Sequence, residues 1–529
     1  MGILASTREK LNRIKPSIVF LLLSLLVGGY IRLSRVLTAD FPLNDGGLFF
    51  QMTTELIANH FKLPLFTTYN HLGIPFAYPP LAFYLTGGLS QLFGWSLLDV
   101  YRVFPAVISI LTIPAFYLLA REITQDDNHL AIATLIFSVL PPTFHWVIMG
   151  GGVTRSLAFF FSLFALFFTI RLFKRQNYKY LFAAGLFLSL SILAHPETGF
   201  HTALTVPVFW FFLSKNKHGV LLTFLMAVLT ITLTAPWWGT VLVNHGFDPF
   251  KAALLTSEQT DFSLYILLNF SLTEEAGIGS IAVLALVGML LYSGKKSYFL
   301  PVWLLVSYVI SPRSARLTIA PVIAILASYT LILITQWLDE CRTEHKGTGE
   351  SGYFIHSITS KLLLFILFFQ WFTSALLVIR DNTYIRMTGE DRQVMEWIKE
   401  NSDTESRFLI ITDHFWAQDP VSEWFPTLTG RISIATVQGT EWLPEGRYTQ
   451  AVIEARKLQH CVDQTPTCVQ VWVAETGRDF DYLYIRKLKI QTSPHELIPY
   501  DSALAELLRE DADYQLVYDG EAAVIFKRK

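Results

Sequence analysis

A short segment near the N-terminus concentrates residue types that could do chemistry in an otherwise apolar chain. It reads DFPLNDGGLFF, and its two carboxylates are Asp40 and Asp45. A carboxylate can take a proton from an attacking hydroxyl group, and Gly46 and Gly47 leave room for backbone or ligand beside Asp45. The local pattern fits a structural role equally well, because Asp is favoured just before a helix, where its oxygens accept unpaired N–H groups. Asp45 is therefore expected either to cap the helix GLFFQMTTELIAN or to act as a base, and Asp40 to be a solvated carboxylate at the interface.

Arginines form a second group of candidates. Arg155 lies in GGGVTRS, and Arg313 and Arg316 lie in SPRSARLTIAP. A guanidinium group matches phosphate oxygens in pairs, and arginine at a membrane boundary is costly without an anion. These three residues are candidates for binding a phosphate, with ordinary interfacial anchoring as the alternative.

A third group lies in the segment AHPETGFHTAL, which contains His195, Glu197 and His201. Such a cluster could hold an acceptor molecule or a metal ion, but the spacing HxExxxH is not a recognised metal-ligand signature. The spacing favours structural hydrogen bonding over ligand binding.

The elements that must position these residues follow from composition. Of 529 residues, 52% are apolar and only 16% are charged, against about 25% in soluble domains. About half of the charged residues fall in the last 149 or so positions. We therefore expect a membrane-embedded region over 1–380 and a water-exposed domain over 381–529. The net charge of -2 argues against a nucleic-acid partner.

Apolar runs near the roughly 20 residues needed to cross a bilayer recur through the first region and predict about eleven transmembrane helices. The first run is too long for the apolar part of a signal peptide and has no small-residue cleavage site after it. The predicted spans are 17–38, 101–120, 129–147, 156–173, 180–194, 199–213, 219–236, 277–293, 298–311, 318–337 and 361–380.

Basic residues in the short loops set the orientation. With the N-terminus in the cytoplasm, about 16 basic residues lie inside and about 8 outside. The odd number of spans then puts the C-terminal domain outside the plasma membrane. Cys461 and Cys468 in that domain could form a disulfide, or remain free thiols, while Cys341 lies alone on the inside.

Two long outer loops follow from this threading, one over 39–100 and one over 237–276. The first contains residues 77–94, which we interpret as a helix in the outer interface because they are short and contain two prolines and two glycines. The outer domain is predicted to be α/β. Its expected helices are RQVMEWIKEN, YTQAVIEARKL and SALAELLRED; its expected strands are RFLIIT, RISIAT, VQVWVA, DYLYIR, YQLVY and AAVIFK, the last two joined by a turn at Asp519-Gly520.

These features together resemble the GT-C superfamily of membrane glycosyltransferases. The resemblance rests on a carboxylate in the first outer loop, an interfacial helix, and the string GIPFAYPPLAFYL with Tyr78. The AHPETGFHTAL segment, the arginine-led RLTIAPVIAILASY and the outer α/β domain are also similar, especially to bacterial and archaeal membrane proteins labelled 6-pyruvoyl-tetrahydropterin-synthase-related and to the oligosaccharyltransferase-like group. The similarity covers most of the chain through short motifs.

The resemblance implies an enzyme that transfers a sugar from a polyprenyl-phosphate donor to a glycan, lipid or protein acceptor on the outer face. Asp45 would be the general base in an inverting reaction, and Arg316, Arg313 and Arg155 would bind the donor phosphate. Residues expected to bind or support the acceptor are His195, Glu197, His201, Asp40 and Tyr78.

No cofactor is expected. Some GT-C enzymes bind a divalent cation through carboxylates of both the first and second outer loops, but the second loop here, MGGGVTRSL, supplies none. The carboxylates that could contradict a metal-independent reaction are Glu197, Asp248, Asp261, Glu274 and Glu275. The WWDYG signature of oligosaccharyltransferases is absent, which argues against transfer of a whole oligosaccharide to Asn. A transporter or flippase of lipid-linked substrates is the alternative, although the inverted repeats typical of transporters are not apparent.

Overall fold

The computed structural model describes residues 15–256, 272–275, 279–343, 358–380, 386–444, 446–493 and 496–529. Within them the chain is a polytopic α-helical membrane protein with a C-terminal α/β domain. Six helices are long and apolar enough to cross a bilayer: Pro16–Thr38, Leu97–Ile123, Gly152–Arg175, Lys217–His245, Ala320–Glu340 and Ile358–Arg380. Three shorter apolar helices are Tyr178–Ala194, Ser280–Gly294 and Phe299–Ile310.

A helix lies at each of the eleven predicted spans, but two boundaries are wrong. The helix expected over 129–147 is Asp127–Val139 and is followed by the 3-10 turn Pro141–Thr143. Two successive prolines lack the N–H groups that would continue the helix. The helix Lys217–His245 passes through Pro236, so the outer segment expected from residue 237 starts later, with the helix Asp248–Leu255. The remaining helix in this series, Pro196–Leu213, also contains a proline, Pro207.

A buried arginine holds the turn Pro141–Thr143, which follows the helix Asp127–Val139. Arg32 is 0% exposed. Its guanidinium donates to Ser109 Oγ at 2.8 Å, to the Ser138 carbonyl at 2.7 Å and to Thr143 Oγ1 at 2.7 Å. Because these partners lie on separate elements, Arg32 joins three of them and orients the segment that leads to Gly150–Gly152.

The segment predicted as the first outer loop, and called so below, contains two helices. Gly47–Ala58 and Leu81–Phe93 confirm the two helices predicted there. Between them the short strands Phe66–Thr67 and Ile74–Pro75 pair antiparallel around a 3-10 turn at Tyr69–His71.

The C-terminal α/β domain, called the outer domain below after its predicted side of the membrane, contains a mixed five-stranded sheet. The strand order is Ile432–Ser433, Arg407–Ile411, Tyr482–Arg486, Ala523–Arg528 and Tyr514–Asp519. The first three strands are parallel to one another, and Ala523–Arg528 pairs antiparallel with the strand on each side of it. The helices that accompany this sheet are Gly389–Asn401, Pro420–Thr429, Arg447–Gln459, Pro466–Thr476 and Ala503–Glu510.

One expected strand is wrong. VQVWVA lies in the helix Pro466–Thr476, which starts with proline in its first position and ends at Gly477 in the left-handed conformation. These helix boundary signals outweigh the β-branched composition. The disulfide between Cys461 and Cys468 is confirmed, with the two Cα atoms 5.6 Å apart. The hairpin at Asp519-Gly520 is also confirmed, whereas the pair Leu488–Ser493 and Glu496–Tyr500 was not predicted.

Candidate active site

Asp45 lies where the first outer loop meets the start of the helix Gly152–Arg175. Its Oδ1 accepts the Gly151 N–H at 2.9 Å, and its Oδ2 accepts from Arg155 Nη2 at 2.7 Å. The helix Gly47–Ala58 starts after Gly46 without a side-chain cap. The capping interpretation is therefore wrong, and the Asp45 carboxylate is held across the fold by the GGGVTRS segment.

The glycines of that segment make room for Asp45. A Cβ atom on Gly151 would lie 2.6 Å from Asp45 Oδ2, and one on Gly150 would lie 2.0 Å from the Asp45 carbonyl oxygen. The Gly150 N–H in turn donates to the Leu43 carbonyl at 2.9 Å. Side chains at either glycine would displace the carboxylate or its backbone.

The outer domain supplies the second half of the site through the helix Pro420–Thr429. Glu423 Oε1 accepts the Gly46 N–H at 2.7 Å, and Trp424 Nε1 donates to the Asn44 carbonyl at 3.0 Å. Both residues flanking Asp45 are thus held by the sequence SEWFP. Trp424 is fully buried, so it packs against the loop and does not offer a face for stacking on sugars.

Glu423 is a buried acid close to a second acid. Burial and the nearby charge of Asp45 raise its pKa to about 8, against the lowering effects of the Gly46 N–H and Arg155. Its other oxygen accepts from Gln438 Nε2 at 3.1 Å. At neutral pH the protonated form of Glu423 is therefore favoured, which limits the negative charge beside Asp45.

Tyr78 packs beside this cluster. Its hydroxyl donates to Thr154 Oγ1 at 3.3 Å. Its ring lies 5.7 Å from that of Trp442 and 6.4 Å from that of His195. Burial raises the pKa of Tyr78 well above its usual value, so the hydroxyl stays protonated. Trp442, in the outer-domain sequence TEWLP, is also buried.

Arg316 lies in a separate but connected cluster. Its Nη1 is 3.0 Å from Glu274 Oε1, and Glu274 Oε2 is 3.1 Å from His145 Nδ1. Although burial raises the pKa of Glu274, the contacts with His145 and Arg316 hold it below its usual value. The carbonyl of Trp146, the residue after His145, accepts from Arg155 Nε at 3.0 Å. Because Arg155 also binds Asp45, this contact links the two clusters.

Arg316 therefore already has an anionic partner, Glu274, whereas the sequence suggested that it needs an external anion. The Arg316 side chain is 43% exposed and retains free donor capacity on its guanidinium. Arg313 lies in the helix Pro312–Thr318, and its side chain is outside the described part of the structure.

The remaining candidates divide into structural and peripheral residues. His195 Nδ1 accepts from Thr198 N at the start of the helix Pro196–Leu213. His201 is 2% exposed, and its Nε2 lies 2.9 Å from the Ser307 carbonyl, which favours the structural interpretation. Glu197 lies in the first turn of the same helix.

Asp40 pairs with Arg392 of the outer domain at 2.5 Å and is 66% exposed, so it is not part of the Asp45 cluster.

The carboxylates considered as metal ligands do not converge. Across the described segments, no group of three or more His, Cys, Asp or Glu side chains is arranged to hold a metal ion. Glu275 Oε2 accepts from Ile281 N at the start of the helix Ser280–Gly294, and Asp248 lies in the first turn of another helix near Lys251. Asp261 is outside the described residues.

Sequence reasoning missed Glu423 and the Gly151 N–H as partners of the Asp45 turn. The available signal was the recurrence of Glu-Trp in SEWFP and TEWLP. An acid next to a tryptophan twice in one domain suggests a shared packing surface, but the sequence does not show which surface it covers.

Comparisons with known proteins identify the fold. The sequence model of the dolichyl-phosphate-mannose-protein mannosyltransferase family matches residues 77–239. An uncharacterised protein of Aquifex aeolicus (strain VF5) is 26% identical over 161 residues, which are 30% of this chain and 32% of that protein. The chain therefore matches only about a third of that relative's length.

Three solved structures are similar over nearly the whole chain. The archaeal oligosaccharyltransferase AglB from Archaeoglobus fulgidus, in complex with an inhibitory peptide and a dolichol-phosphate, has a TM-score of 0.64 at 14% identity, covering 95% of this chain and 79% of AglB. ArnT from Cupriavidus metallidurans bound to undecaprenyl phosphate has a TM-score of 0.54 at 14% identity, covering 96% of this chain and 97% of ArnT. The arabinofuranosyltransferase AftD from Mycobacteria has a TM-score of 0.54 at 13% identity, covering 97% of this chain and 40% of AftD. The chain thus has the GT-C fold of membrane glycosyltransferases, as its motifs predicted.

Proposed function

We propose that this protein transfers a sugar from a polyprenyl-phosphate donor to an acceptor hydroxyl on the outer face of the plasma membrane, with inversion at the anomeric carbon. The observation that carries the proposal is the placement of Asp45. Its carboxylate accepts from the Gly151 N–H, just before the helix Gly152–Arg175, and from Arg155 in the first turn of that helix, while the outer domain binds both of its neighbours. The fold supports the class of enzyme, and AglB was solved with a dolichol-phosphate and ArnT with undecaprenyl phosphate.

The geometry suits a general base. A carboxylate has about four lone-pair positions, of which the Gly151 N–H and Arg155 occupy two. The Asp45 side chain remains 16% exposed. An acceptor hydroxyl can therefore approach a free lone pair, transfer its proton to Asp45 and attack the anomeric carbon as the phosphate leaves.

Arg155 and Arg316 are the proposed phosphate ligands, with Arg313 as a third. Arg155 uses one Nη to bind Asp45 and its Nε to bind a carbonyl, so its second Nη can serve the donor. Positive charge next to both the base and the leaving group would stabilise the charge that develops on the phosphate. Tyr78 and His195 are proposed to border the acceptor, and no metal or cofactor is part of the reaction.

Asp45→Asn tests this proposal because Asn keeps the shape and one accepting oxygen but cannot take the proton. We expect the release of polyprenyl phosphate from a sugar donor to slow by about 10²- to 10⁴-fold, with donor affinity nearly unchanged. The melting temperature should fall, because the amide NH2 must face either the Gly151 N–H or Arg155. The assay would use the full-length protein in lipid nanodiscs, with membrane extract as the source of acceptor.

Asp40→Asn is the matched control. It makes the same change five positions earlier, at an exposed ion pair with Arg392 that contributes at most about 1 kcal/mol. Turnover of this variant should be near that of the wild type. Normal turnover by Asp45→Asn would refute the assignment of the base.

A further inference from the structure

The outer domain contains a cavity that lies outside the Asp45 site. Its volume is about 220 Å³, smaller than the roughly 300 to 1,000 Å³ of sites for drug-sized ligands. It lies where the first outer loop meets the sheet of the outer domain. Among the residues that line it are Arg407, Arg447, Arg478, Asn70, Ser433 and Thr440.

Three arginines around one small cavity repel one another. Arg478 pairs with Glu454, with 2.5 Å between Nη2 and Oε2. Burial lowers the pKa of Arg478, Glu454 raises it, and the charges of Arg447 and Arg407 lower it further. The three guanidinium groups are therefore close enough to interact electrostatically.

Glu454 balances only one of these charges. It is 7% exposed and lies beside Arg478. Within the described residues, neither the Arg407 nor the Arg447 guanidinium makes an ion pair. Among the described side chains, these two partly buried arginines therefore line the cavity without an ion-pair partner, an arrangement that favours binding of an anion.

The cavity wall is mechanically linked to the proposed active site. Asn70 Nδ2 donates to the Ser433 carbonyl at 2.8 Å, and the Ser433 N–H donates to Asn70 Oδ1 at 2.7 Å. The preceding residue, Tyr69, donates its hydroxyl to the Glu423 carbonyl at 2.6 Å. Consecutive residues of one loop therefore border the arginines and hold the residue that binds the Asp45 turn.

We propose that this arginine cavity binds an oxyanion group, a carboxylate or a phosphate, of the acceptor whose hydroxyl Asp45 activates. The inference rests on the proposed function and specifies the acceptor as anionic. Paired N–H donors of guanidinium groups match the oxygens of both anions. The cavity has room for one such charged group and not for the polyprenyl chain of the donor.

The test uses the full-length protein in nanodiscs with two probes, D-glucuronate and inorganic phosphate, which distinguish the carboxylate from the phosphate. Their dissociation constants come from the rise in melting temperature across a concentration series at constant ionic strength. D-glucose and sodium chloride are the neutral and ionic controls. We expect at least one oxyanion to bind, and Arg407→Gln or Arg447→Gln to weaken it roughly 10- to 150-fold.

Arg456→Gln is the matched control, because Arg456 is exposed on the same helix as Arg447 and does not line the cavity. It should bind the probe like the wild type. The proposal fails if neither oxyanion stabilises the protein more than the controls do, or if all three variants bind alike. It also fails if Arg447→Gln weakens binding of undecaprenyl phosphate, since the cavity would then hold the donor. Loss of turnover in Asp45→Asn is measured separately, so the failure of either proposal can be recognised by itself.

Discussion

At the scale of single residues, Glu423 stands out because this outer-domain acid binds the N–H of Gly46, the residue after the proposed base. Its pKa of about 8, against a usual value of 4.5, comes from burial and the charge of Asp45. Between these two values the unfolded chain has lost this proton while the folded chain keeps it. Stability should therefore fall as the pH rises from about 4.5 to 8.

Glu423→Gln should remove this dependence, because Gln resembles the protonated acid and its Oε1 can still accept the Gly46 N–H. Because its Nε2 would face the Gln438 N–H that Glu423 Oε2 accepts, the variant should melt below the wild type at pH 5, and this difference should shrink or reverse by pH 8. Parallel melting curves from pH 5 to 8 would check this. A constant difference across that range would mean that Glu423 does not titrate there.

Arg316 calls for a comparison of two variants because it has an internal partner. If Arg316 binds the donor phosphate, Arg316→Ala should weaken donor affinity roughly 10- to 150-fold, with Arg316→Lys intermediate. Glu274→Gln removes the competing carboxylate and should leave donor affinity equal or higher. Titration of each variant with polyprenyl phosphate gives its dissociation constant for the donor phosphate. If both substitutions lower stability and neither changes donor affinity, the ion pair is structural.

At the scale of elements, the start of the helix Gly152–Arg175 sets the position of the base. Gly151 has φ -66 and ψ -11, a conformation that alanine adopts without strain. The three atoms nearest to a Cβ there all belong to the Asp45 carboxylate, whose nearest oxygen would be 2.6 Å away. Gly151→Ala should therefore shift the carboxylate and lower turnover about 10- to 100-fold, since misplacement by 1 Å can cost about 10²-fold.

Gly88→Ala is the control for that prediction. Gly88 lies inside the helix Leu81–Phe93, and nothing lies within 4 Å of the Cβ position. Alanine should stabilise this helix by up to about 1 kcal/mol and leave turnover unchanged. Equal turnover in both variants would show that the Gly151 contact does not position the base.

The same elements show what the sequence could establish. Hydropathy and length located a helix at each of the eleven predicted spans, and six of these helices are long and apolar enough to cross a bilayer. A bilayer imposes a long apolar run that is visible without any partner. The end of the helix at Val139 and the helix over VQVWVA depended on Pro141, Pro142 and Gly477, local signals that composition obscured. The pairing of Asp45 with Gly151 and Arg155 joins positions 106 and 110 residues apart. Such pairing depends on tertiary packing, so the sequence could name Asp45 and Arg155 but not their contact.

At the scale of the whole molecule, the outer domain and the first outer loop form one polar seam. Arg392 pairs with Asp40, Glu423 binds the Gly46 N–H, and Asn70 binds the backbone of Ser433. The proposed base lies within this seam. Catalysis by this architecture therefore requires the outer domain to be on the same side of the membrane as the end of the first helix.

Thiol labelling tests that orientation. Cys461 and Cys468 form a disulfide in the outer domain, and Cys341 lies at the end of the helix Ala320–Thr343. Cys461 is 1% exposed while Cys468 is partly buried, so Cys468 should react first. After mild reduction of intact cells, a membrane-impermeant maleimide should label Cys468 and spare Cys341, and without reduction it should label neither. Cys468→Ser, which removes the disulfide, should abolish most of the signal, whereas Cys341→Ser should not change it. Labelling of Cys341 in intact cells would place the outer domain in the cytoplasm, where an acceptor for outer-face transfer could not reach Asp45.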